Sequence, residues 1–483
     1  MNALSISNLS FTYKSWVAKK TSPVFSDLNI SVKTGEHLLI LSRPEGGKTT
    51  FSRIINNLIP KFIDGKLTGN IIINNKDISE LEPYELINDI CYVSQNPLEM
   101  FVSTTCENEV AFPLESLGIK QNEIKRIVKE SLTKWGLLSY AKASPFELSG
   151  GERKRLLLAV SNAINPSIYI LDEAFDDLDK IWRDKLSKDI KQSNKTIIVL
   201  SARYLTQFDD CFDNIKIFES GNIRKISSSE AVDLFTHKSL NTYLYDSILL
   251  DDYNKRVEKS VIKNKSITVK NLISIRRRSS VKDEVPFVMD AKDFNIKSSQ
   301  VVRLIGSNGS GKTTFSRILC GLDSYKSGEI LLNDKIATEQ KLQANIGYLF
   351  QNPDYQIFLP TVYEELSWGL FNDNRYNTKE INERVEKCAA LFSLDLKDTP
   401  TTMSFALRKR LQAAVYYLLE RPFLILDELD GAMSYEDAYF IINELSKTGT
   451  ALIIITHDED FAKEISNKTY LVNKGVLEVL HEC

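Results

Sequence analysis

The chain has 483 residues, of which 26% are charged, and its formal net charge at pH 7 is −3. This length gives room for roughly two to four domains. The near-neutral charge gives no indication of a nucleic-acid partner, which would need a local basic patch, and we predict none. The apolar runs have strand length, so we predict no membrane-spanning helix. The N-terminus lacks the apolar core of a signal peptide. Six widely spaced cysteines without a C-x-x-C pair indicate reduced thiols.

An internal repeat divides the chain into two halves. Three short stretches recur in the same order: residues 49–54 with 313–318, 95–97 with 351–353, and 170–173 with 425–428; the last two offsets are 256 and 255 residues. A period of more than two hundred residues is far longer than that of a solenoid repeat. We therefore predict two similar domains.

The predicted elements follow the same order in each half. A β-rich segment (residues 4–32 and 267–296) precedes a strand, a loop and a helix, and a helical middle follows. Short apolar runs then predict buried parallel strands; they cover residues 167–171, 196–200, 423–426 and 451–455. Alternating strands and helices predict an α/β fold with a largely parallel sheet. The polar stretch 227–265 is interpreted as a connector, so that the domains are 1–226 and 266–483.

The second half contains a phosphate-binding loop of the form G-x-x-x-x-G-K-[ST]. It lies between the apolar run 301–305 and the helical pattern 315–322, the strand–loop–helix setting that this motif needs. The glycines permit a tight turn whose N–H groups point at phosphate oxygens, the lysine reaches the β- and γ-phosphates, and the first threonine holds Mg²⁺. The predicted nucleotide-binding residues are Gly306, Ser307, Asn308, Gly309, Ser310, Gly311, Lys312, Thr313 and Thr314.

The first half carries a divergent copy of this loop at residues 42–50. Ser42 and Glu45 replace two glycines, and Glu45 brings negative charge towards the phosphates. The remaining loop residues are still predicted to bind nucleotide; these are Gly47, Lys48, Thr49 and Thr50.

These motifs, together with Leu148-Ser149-Gly150-Gly151-Glu152, resemble the nucleotide-binding domains of ATP-binding cassette (ABC) proteins. The resemblance implies an α/β fold of two tandem ABC-type P-loop domains. Each would contain a β-rich subdomain, a mixed or parallel sheet core and a helical signature subdomain. It also implies that ATP and Mg²⁺ are the cofactors, and that the protein is an ATPase.

The resemblance assigns catalytic roles in the second half. Asp427 would hold Mg²⁺, and Gln351 would complete the shell of the metal while sensing it. Glu428 stands where the family places its catalytic base, and His457 stands at the switch-histidine position. Phosphoryl transfer to water depends mainly on positioning and on stabilisation of negative charge, which explains the use of these residue types.

In the family, each ATP lies between the Walker motifs of one domain and the signature motif of the other. The consensus site would then pair the second half's Walker motifs with Ser149, Gly150 and Gly151, and with the D-loop residue Asp179. Ser149 and the two glycines precede a helix expected to begin near Glu152, and so form an N-terminal anion site. The position of the adenine-stacking aromatic is occupied by Arg276.

The other composite site departs from the family repeatedly. It keeps Lys48, Thr49, Gln95, Glu173 and the metal ligand Asp172, and Tyr13 can stack on adenine; Thr49 would also contact the metal. However, Ala202 occupies the switch-histidine position, Phe405 and Ala406 replace the signature glycines, and Ser434 replaces the D-loop aspartate. We expect one hydrolytic site and one degenerate site that binds ATP without fast turnover; the alternative is that both sites are active.

Residues 351–358 and 361–366 look like those of ATPases that energise energy-coupling-factor (ECF) importers, which are similar to cobalt-import ATPases. Residues 95–101 and 107–112 form the first half's version. In the family this segment receives coupling helices of a transmembrane subunit, so Phe358 and Phe101 are interpreted either as docking residues or as core aromatics.

The ECF resemblance implies a transmembrane coupling subunit, a small membrane-embedded substrate-binding subunit, and a peripheral location on the cytoplasmic face of the membrane. The transported compound would be a vitamin, a thiamine precursor or a transition metal. The alternatives are a monosaccharide importer, whose Q-loop usually lacks the Asn-Pro-x-x-x-x-Phe run, and a soluble ABC ATPase without a transport role.

Overall fold

A computed structural model describes residues 1–14, 23–43, 46–236, 265–276, 286–372, 375–429, 431, 433–456, 461, 465–466 and 468–480. The chain forms two compact units; Met1–Thr236 lie in the first, and the described residues from 265 onward lie in the second. The predicted domain boundaries at residues 226 and 266 stay predictions. Within the described residues, no helix is long and apolar enough to cross a membrane.

The first unit contains two sheets within its described residues. Its strands are β1 Asn2–Tyr13, β2 Phe25–Lys33, β3 His37–Leu41, β4 Gly65–Ile73, β5 Lys76–Asp77, β6 Ile90–Val93, β7 Ile168–Asp172, β8 Thr196–Ser201, β9 Asn214–Glu219 and β10 Asn222–Ile226. One sheet has the antiparallel order β2-β1-β4-β5. The other has the order β10-β9-β3-β8-β7-β6 and is parallel except for β10.

The second unit repeats these strands in a single sheet. They are β11 Ser266–Arg276, β12 Phe287–Lys297, β13 Val301–Ile305, β14 Ser327–Leu332, β15 Lys335–Ile336, β16 Ile346–Leu349, β17 Phe423–Asp427, β18 Ala451–Ile455, β19 Lys468–Asn473 and β20 Val476–Leu480. The order is β15-β14-β11-β12-β20-β19-β13-β18-β17-β16. A short parallel pairing of β12 with β20 joins the antiparallel part to the parallel part.

Helices cover both sheets of parallel strands. Those described in the first unit are α1 Lys48–Ile55, α2 Cys106–Ser116, α3 Gln121–Lys134, α4 Gly150–Ile164, α5 Lys180–Lys191 and α6 Ser228–Phe235. Those described in the second are α7 Lys312–Leu319, α8 Glu339–Asn345, α9 Val362–Phe371, α10 Thr378–Leu391, α11 Phe405–Leu419 and α12 Tyr435–Lys447. α6 follows the last strand of the first unit, and its Ala231 and Phe235 lie in that unit's core.

The predicted α/β class is confirmed. The apolar strands β3, β17 and β18 are buried at every residue, as expected for parallel strands covered on both faces. Two predicted helix starts are corrected. α7 begins at Lys312 rather than Phe315, because its first turn is polar and escapes a search for apolar periodicity. α4 begins at Gly150 rather than near Glu152, because Ser149 caps it.

Candidate active sites

In each unit, the predicted site residues follow the carboxyl ends of adjacent parallel strands. In the second unit the phosphate-binding loop follows β13, Gln351 follows β16, and Asp427 ends β17. The strands β13, β18, β17 and β16 are neighbours in that order, so their carboxyl ends meet along one edge of the sheet. This edge is where open α/β sheets bind ligands.

Two glycines of the second unit's loop combine a positive φ with a lack of room for a Cβ. Gly306 and Gly311 have φ values of 149° and 114°, in the left-handed half of φ space that side chains rarely adopt. A Cβ on Gly306 would lie 2.2 Å from the Val472 carbonyl oxygen, and a Cβ on Gly311 would lie 2.6 Å from the Phe287 ring. The backbone is therefore held in a close turn that only glycine permits.

The lysine of this loop is folded back onto the loop itself. Lys312 Nζ donates to the carbonyl oxygens of Gly306, at 2.7 Å, and Ser307, at 3.1 Å. Ser310 is buried, and among the described residues its hydroxyl has no hydrogen-bond partner. The glycine cradle, the lysine and this hydroxyl fit a bound phosphate chain, and the Thr313 and Asp427 oxygens are of the type that Mg²⁺ prefers.

Asp427 is a buried carboxylate held by a tyrosine that the sequence analysis missed. The Tyr348 hydroxyl donates to Asp427 Oδ2 at 2.5 Å and also contacts Ser316 Oγ at 3.1 Å. Burial and the neighbouring Glu428 raise the pKa of Asp427 to about 6, while Tyr348, Lys409 and Lys312 oppose the rise. Tyr348 repeats Tyr92 of the first half, so comparing the two halves could have found it.

Glu428 is fixed by backbone contacts and by Gln351. Its φ is 49°, and its N–H donates to the Ile455 carbonyl at 2.8 Å. Gln351 Nε2 donates to Glu428 Oε2 at 2.6 Å. The structure therefore brings these two predicted catalytic residues together. The contact uses the amide nitrogen of Gln351, whereas Mg²⁺ would be bound by the amide oxygen of Gln351.

Two further predictions for the consensus site have different outcomes. His457 lies outside the described residues. Arg276 forms an ion pair with Asp323, which also accepts a hydrogen bond from Arg317 Nε at 2.7 Å. The Arg276 guanidinium is thus engaged by a carboxylate that follows α7, and its stacking on adenine stays a prediction.

The first unit has a different loop chemistry. Pro44 and Glu45 lie outside the described residues, but Ser42 is fully buried. A Cβ on Gly46 would lie 1.9 Å from Ser42 Oγ, so the serine occupies space beside the loop. Lys48 Nζ donates to the Ser42 carbonyl at 2.8 Å and lies 3.5 Å from Glu173 Oε1. The Walker lysine of this half therefore also contacts the predicted base.

The pKa values of both acidic residues of the first unit are raised. Burial and Asp176 raise the pKa of Glu173 to about 8, and the contact with Lys48 offsets only part of this rise. The Ala202 N–H donates to Glu173 Oε2 at 3.2 Å, so the backbone at the switch position contacts the carboxylate. Burial also raises the pKa of Asp172, although Tyr92 donates to its Oδ2 at 3.0 Å.

A serine caps the helix that follows each signature segment. Ser149 accepts from the Glu152 N–H, and the Glu152 side chain accepts from the Ser149 N–H, which is a capping box at the start of α4. Ser404 caps α11 through the Leu407 N–H. The glycine pair of the first half is replaced by Phe405, part-buried, and Ala406, buried.

The remaining predicted residues lie beside the same motifs. Asp179 caps α5 by accepting from the Trp182 N–H, and Ser434 caps α12 in the equivalent way. The Tyr13 hydroxyl contacts Thr50 Oγ1 at 2.9 Å, which places the predicted adenine-stacking ring next to the first turn of α1.

One prediction about the docking segment is corrected. Matching residues 95–101 to 351–358 makes Phe101 the equivalent of Phe358 in the repeat. In the structure the equivalent residue is Val102, because Glu109 accepts from the Val102 N–H as Glu365 accepts from the Phe358 N–H. Phe358 and Val102 are each 68% exposed, whereas Phe101 is 7% exposed. Phe101 is therefore a core aromatic, and Phe358 is a surface residue.

Comparisons with known proteins agree with this fold and identify the family. The chain matches the ABC transporter family over residues 25–176 and 289–430. A provisionally named ABC transporter ATP-binding protein of Bacillus cereus is 29% identical over 94% of this chain and 87% of its own length.

Two solved structures are also similar. CbiO1 from Clostridium perfringens, described as part of the ABC transporter complex CbiONQ, is 28% identical, with a TM-score of 0.39, over 44% of this chain and 86% of its own. The RNase-L inhibitor is 18% identical, with a TM-score of 0.58, over 97% of this chain and 89% of its own, a likeness of fold alone. The family match covers more than half of the chain and falls in both units. The chain belongs to the ABC transporter family and is a tandem ATPase of that family.

Proposed function

We propose that this ATPase energises a membrane importer of ECF type, and that it has one hydrolytic and one degenerate composite ATP site. The observation that carries the hydrolytic assignment is the pairing of Glu428 with Gln351 beside the buried Asp427 and the glycine cradle of the loop.

In the proposed mechanism, the second unit supplies most of the chemistry. The loop amides and Lys312 bind the phosphates, Glu428 polarises the attacking water, and His457 contacts the γ-phosphate. Thr313, Asp427 and Gln351 would hold Mg²⁺, which neutralises charge on the phosphates. Ser149, Gly150, Gly151 and Asp179 are proposed to complete this site from the other half.

The degenerate assignment rests on the departures of this site from the family pattern. At the switch-histidine position the first unit has Ala202, whose backbone N–H contacts the Glu173 carboxylate at 3.2 Å where the family has an imidazole. Lys48 is shared between the Ser42 carbonyl and Glu173. These contacts support nucleotide binding without fast turnover, through Tyr13, Gly47, Lys48, Thr49, Thr50 and Gln95 with Asp172 and Glu173.

Steady-state ATP hydrolysis tests the assignment. Glu428→Gln is expected to lower turnover by about 100-fold or more, because general-base catalysis contributes about that much. Glu173→Gln is the matched variant and is expected to change turnover less than about threefold. Turnover that survives Glu428→Gln but is lost in Glu173→Gln would reverse the assignment, and equal partial losses would show two active sites.

The membrane role rests on an exposed apolar surface in the segment that follows Gln351. Tyr355, Phe358, Trp368 and Phe371 are each 48–68% exposed. Four large exposed apolar side chains within 17 residues of sequence support an interaction site, and the segment is the one that resembles the docking region of ECF ATPases. We propose that it binds a transmembrane coupling subunit, which places this chain on the cytoplasmic face of the membrane.

Purification from detergent-solubilised membranes tests this role. The expected companions are a transmembrane subunit and a small apolar substrate-binding subunit, and Phe358→Asp is expected to release both. Ile336→Asp changes a residue of similar exposure, 63%, outside this segment and serves as the control. A soluble binding protein for a monosaccharide would favour the sugar importer, and recovery with ribosomes alone would contradict a transport role.

A further inference from the structure

Each half buries a lysine on the helix that follows its signature motif. Lys154 on α4 is 0% exposed and Lys409 on α11 is 1% exposed. Both lie at the centre of an Arg-Lys-Arg run at equivalent positions of the repeat. Removing an ammonium group from water costs several kcal/mol after relaxation, so a buried lysine must have strong compensating contacts.

The two lysines have different partners. Lys409 Nζ donates to the backbone carbonyl oxygen of Glu428 at 2.9 Å. Lys154 Nζ donates to the carbonyl oxygens of Ser94, at 3.0 Å, and Gln95, at 2.8 Å, and lies 3.8 Å from Asp177 Oδ2. Only the lysine of the second half, among the described residues, is bonded to the peptide of the predicted base.

The Glu428 peptide has a φ of 49°, which is unfavourable for a residue with a side chain and persists where the surroundings fix it. Glu173 has a φ of 48° at the equivalent position, and Lys154 bonds other carbonyl groups, so the lysine contact is an additional restraint in the second half. The Ile455 carbonyl accepts from the Glu428 N–H, and the Glu428 carbonyl accepts from Lys409 Nζ and from the Gly431 N–H at 3.1 Å. Of these three contacts, only that of Lys409 comes from a side chain, and Lys409 lies on α11.

We propose that Lys409 is a positioning residue for ATP hydrolysis: its buried ammonium group fixes the Glu428 carbonyl and thereby orients the Glu428 carboxylate. This inference rests on the proposed role of Glu428 as the base. The signature motif that precedes α11 is degenerate. The inference nevertheless gives α11 a function in the hydrolytic site of its own half.

The experiment compares Lys409→Met with Lys409→Gln by steady-state ATP hydrolysis and by binding of a fluorescent ATP analogue. Methionine keeps the length of the stem but cannot donate, whereas glutamine can still donate to a carbonyl. Because small misplacements of a catalytic group cost up to about 100-fold, we expect Lys409→Met to lower kcat by about 10- to 100-fold, with KM and analogue affinity changed less than about twofold. The kcat of Lys409→Gln is expected to be at least about threefold higher than that of Lys409→Met.

Lys154→Met is the matched control, because it removes an equally buried lysine that does not contact the first unit's Glu173. We expect it to lower kcat less than about threefold. Equal losses in Lys154→Met and Lys409→Met, or a loss of analogue affinity that parallels the loss of kcat, would show a general role in folding and overturn the proposal. Thermal unfolding identifies a variant that fails to fold. If Lys409→Met fails to fold, Lys409→Gln decides the question. Wild-type kcat in Lys409→Gln supports a donor role, whereas loss of both kcat and analogue binding in Lys409→Gln opposes it.

Glu428→Gln is measured alongside. If it keeps wild-type turnover, the proposed function of Glu428 fails and the positioning role fails with it. If it loses turnover while Lys409→Met keeps wild-type kcat, only the inference about Lys409 is overturned.

Discussion

The hydrogen bond between Tyr348 and Asp427 gives a prediction whose size can be worked out from the structure. Tyr348→Phe removes only a hydroxyl group, from a side chain that is 3% exposed, and leaves a buried carboxylate without one of its donors. A hydrogen bond to a charged group contributes about 1.5–3 kcal/mol. We therefore expect the local opening free energy of β16 and β17 to fall by about this amount.

The effect should depend on pH in a definite direction. Because burial raises the pKa of Asp427 from 3.8 to about 6, the folded state holds the proton more tightly than the unfolded state between these values. The stability contributed by this group is thus present at low pH, declines as pH rises through that window, and is constant above it. Tyr348 opposes the rise in pKa, so its loss extends the decline to higher pH. The deficit of Tyr348→Phe should be largest above about pH 7 and smallest near pH 4.

Amide hydrogen exchange followed by mass spectrometry measures this deficit in metal-free buffer. At about pH 8, peptides covering β16 and β17 should lose protection by roughly 10- to 100-fold, since 1.4 kcal/mol corresponds to tenfold. Tyr92→Phe is the control in the first unit; its bond to Asp172 is longer, 3.0 Å against 2.5 Å, so its effect should be smaller. Unchanged protection in Tyr348→Phe at pH 8, or an equal deficit at pH 4, would refute the reasoning.

Three further predictions concern the loop, the docking segment and the first unit's acidic pair. Gly311→Ala should weaken binding of a fluorescent ATP analogue more than Gly309→Ala. Both glycines have a positive φ, 114° and 75°, but a Cβ at position 311 also meets the Phe287 ring at 2.6 Å, whereas at 309 it meets nothing within 4 Å; equal losses would contradict this. Glu365→Ala removes the acceptor of the Phe358 and Leu359 N–H groups. We therefore expect fewer membrane subunits to co-purify, while the basal rate of ATP hydrolysis stays within about twofold of wild type. Glu365→Gln keeps an oxygen acceptor and is the control. Burial and Asp176 raise the pKa of Glu173 from 4.5 to about 8, so the wild-type first unit should lose stability as pH rises between these values. Thermal unfolding in metal-free buffer should detect this loss in the wild-type protein and not in Glu173→Gln.

The elements that the sequence predicted well are those whose signal is local. Two strands of the second unit, β13 and β18, coincide with the predicted runs at residues 301–305 and 451–455, because strands covered on both faces are mostly apolar. The exception is Arg303 in β13, which is buried and donates to Thr469 Oγ1. The order of motifs also predicted which side chains meet at the carboxyl edge of the sheet. Gln351 and Glu428 are 77 residues apart in sequence and are bonded in the structure.

The features that were missed depend on tertiary neighbours. Lys154 and Lys409 lie within runs of three basic residues, which normally indicate a solvated surface, and yet both are buried. Their burial follows from the carbonyl groups brought to them by other segments. The Arg276–Asp323 ion pair is similar: the sequence identified the position of Arg276 in the domain, but its partner comes from a residue after α7.

The docking segment shows how a repeat can mislead when it is aligned by residue type alone. Matching Phe101 to Phe358 shifts one half by a residue, and the hydrogen bonds of Glu109 and Glu365 correct that shift by pairing Val102 with Phe358. Phe101 instead packs edge-on against Phe146, with ring centroids 6.4 Å apart. Both halves thus use a buried glutamate to hold the same turn, and each turn presents one apolar side chain. Because that side chain is valine in the first half and phenylalanine in the second, we expect the two surfaces to bind different partner segments, or to bind one with unequal strength; substitution of Phe358 should then release membrane subunits more readily than the same substitution of Val102.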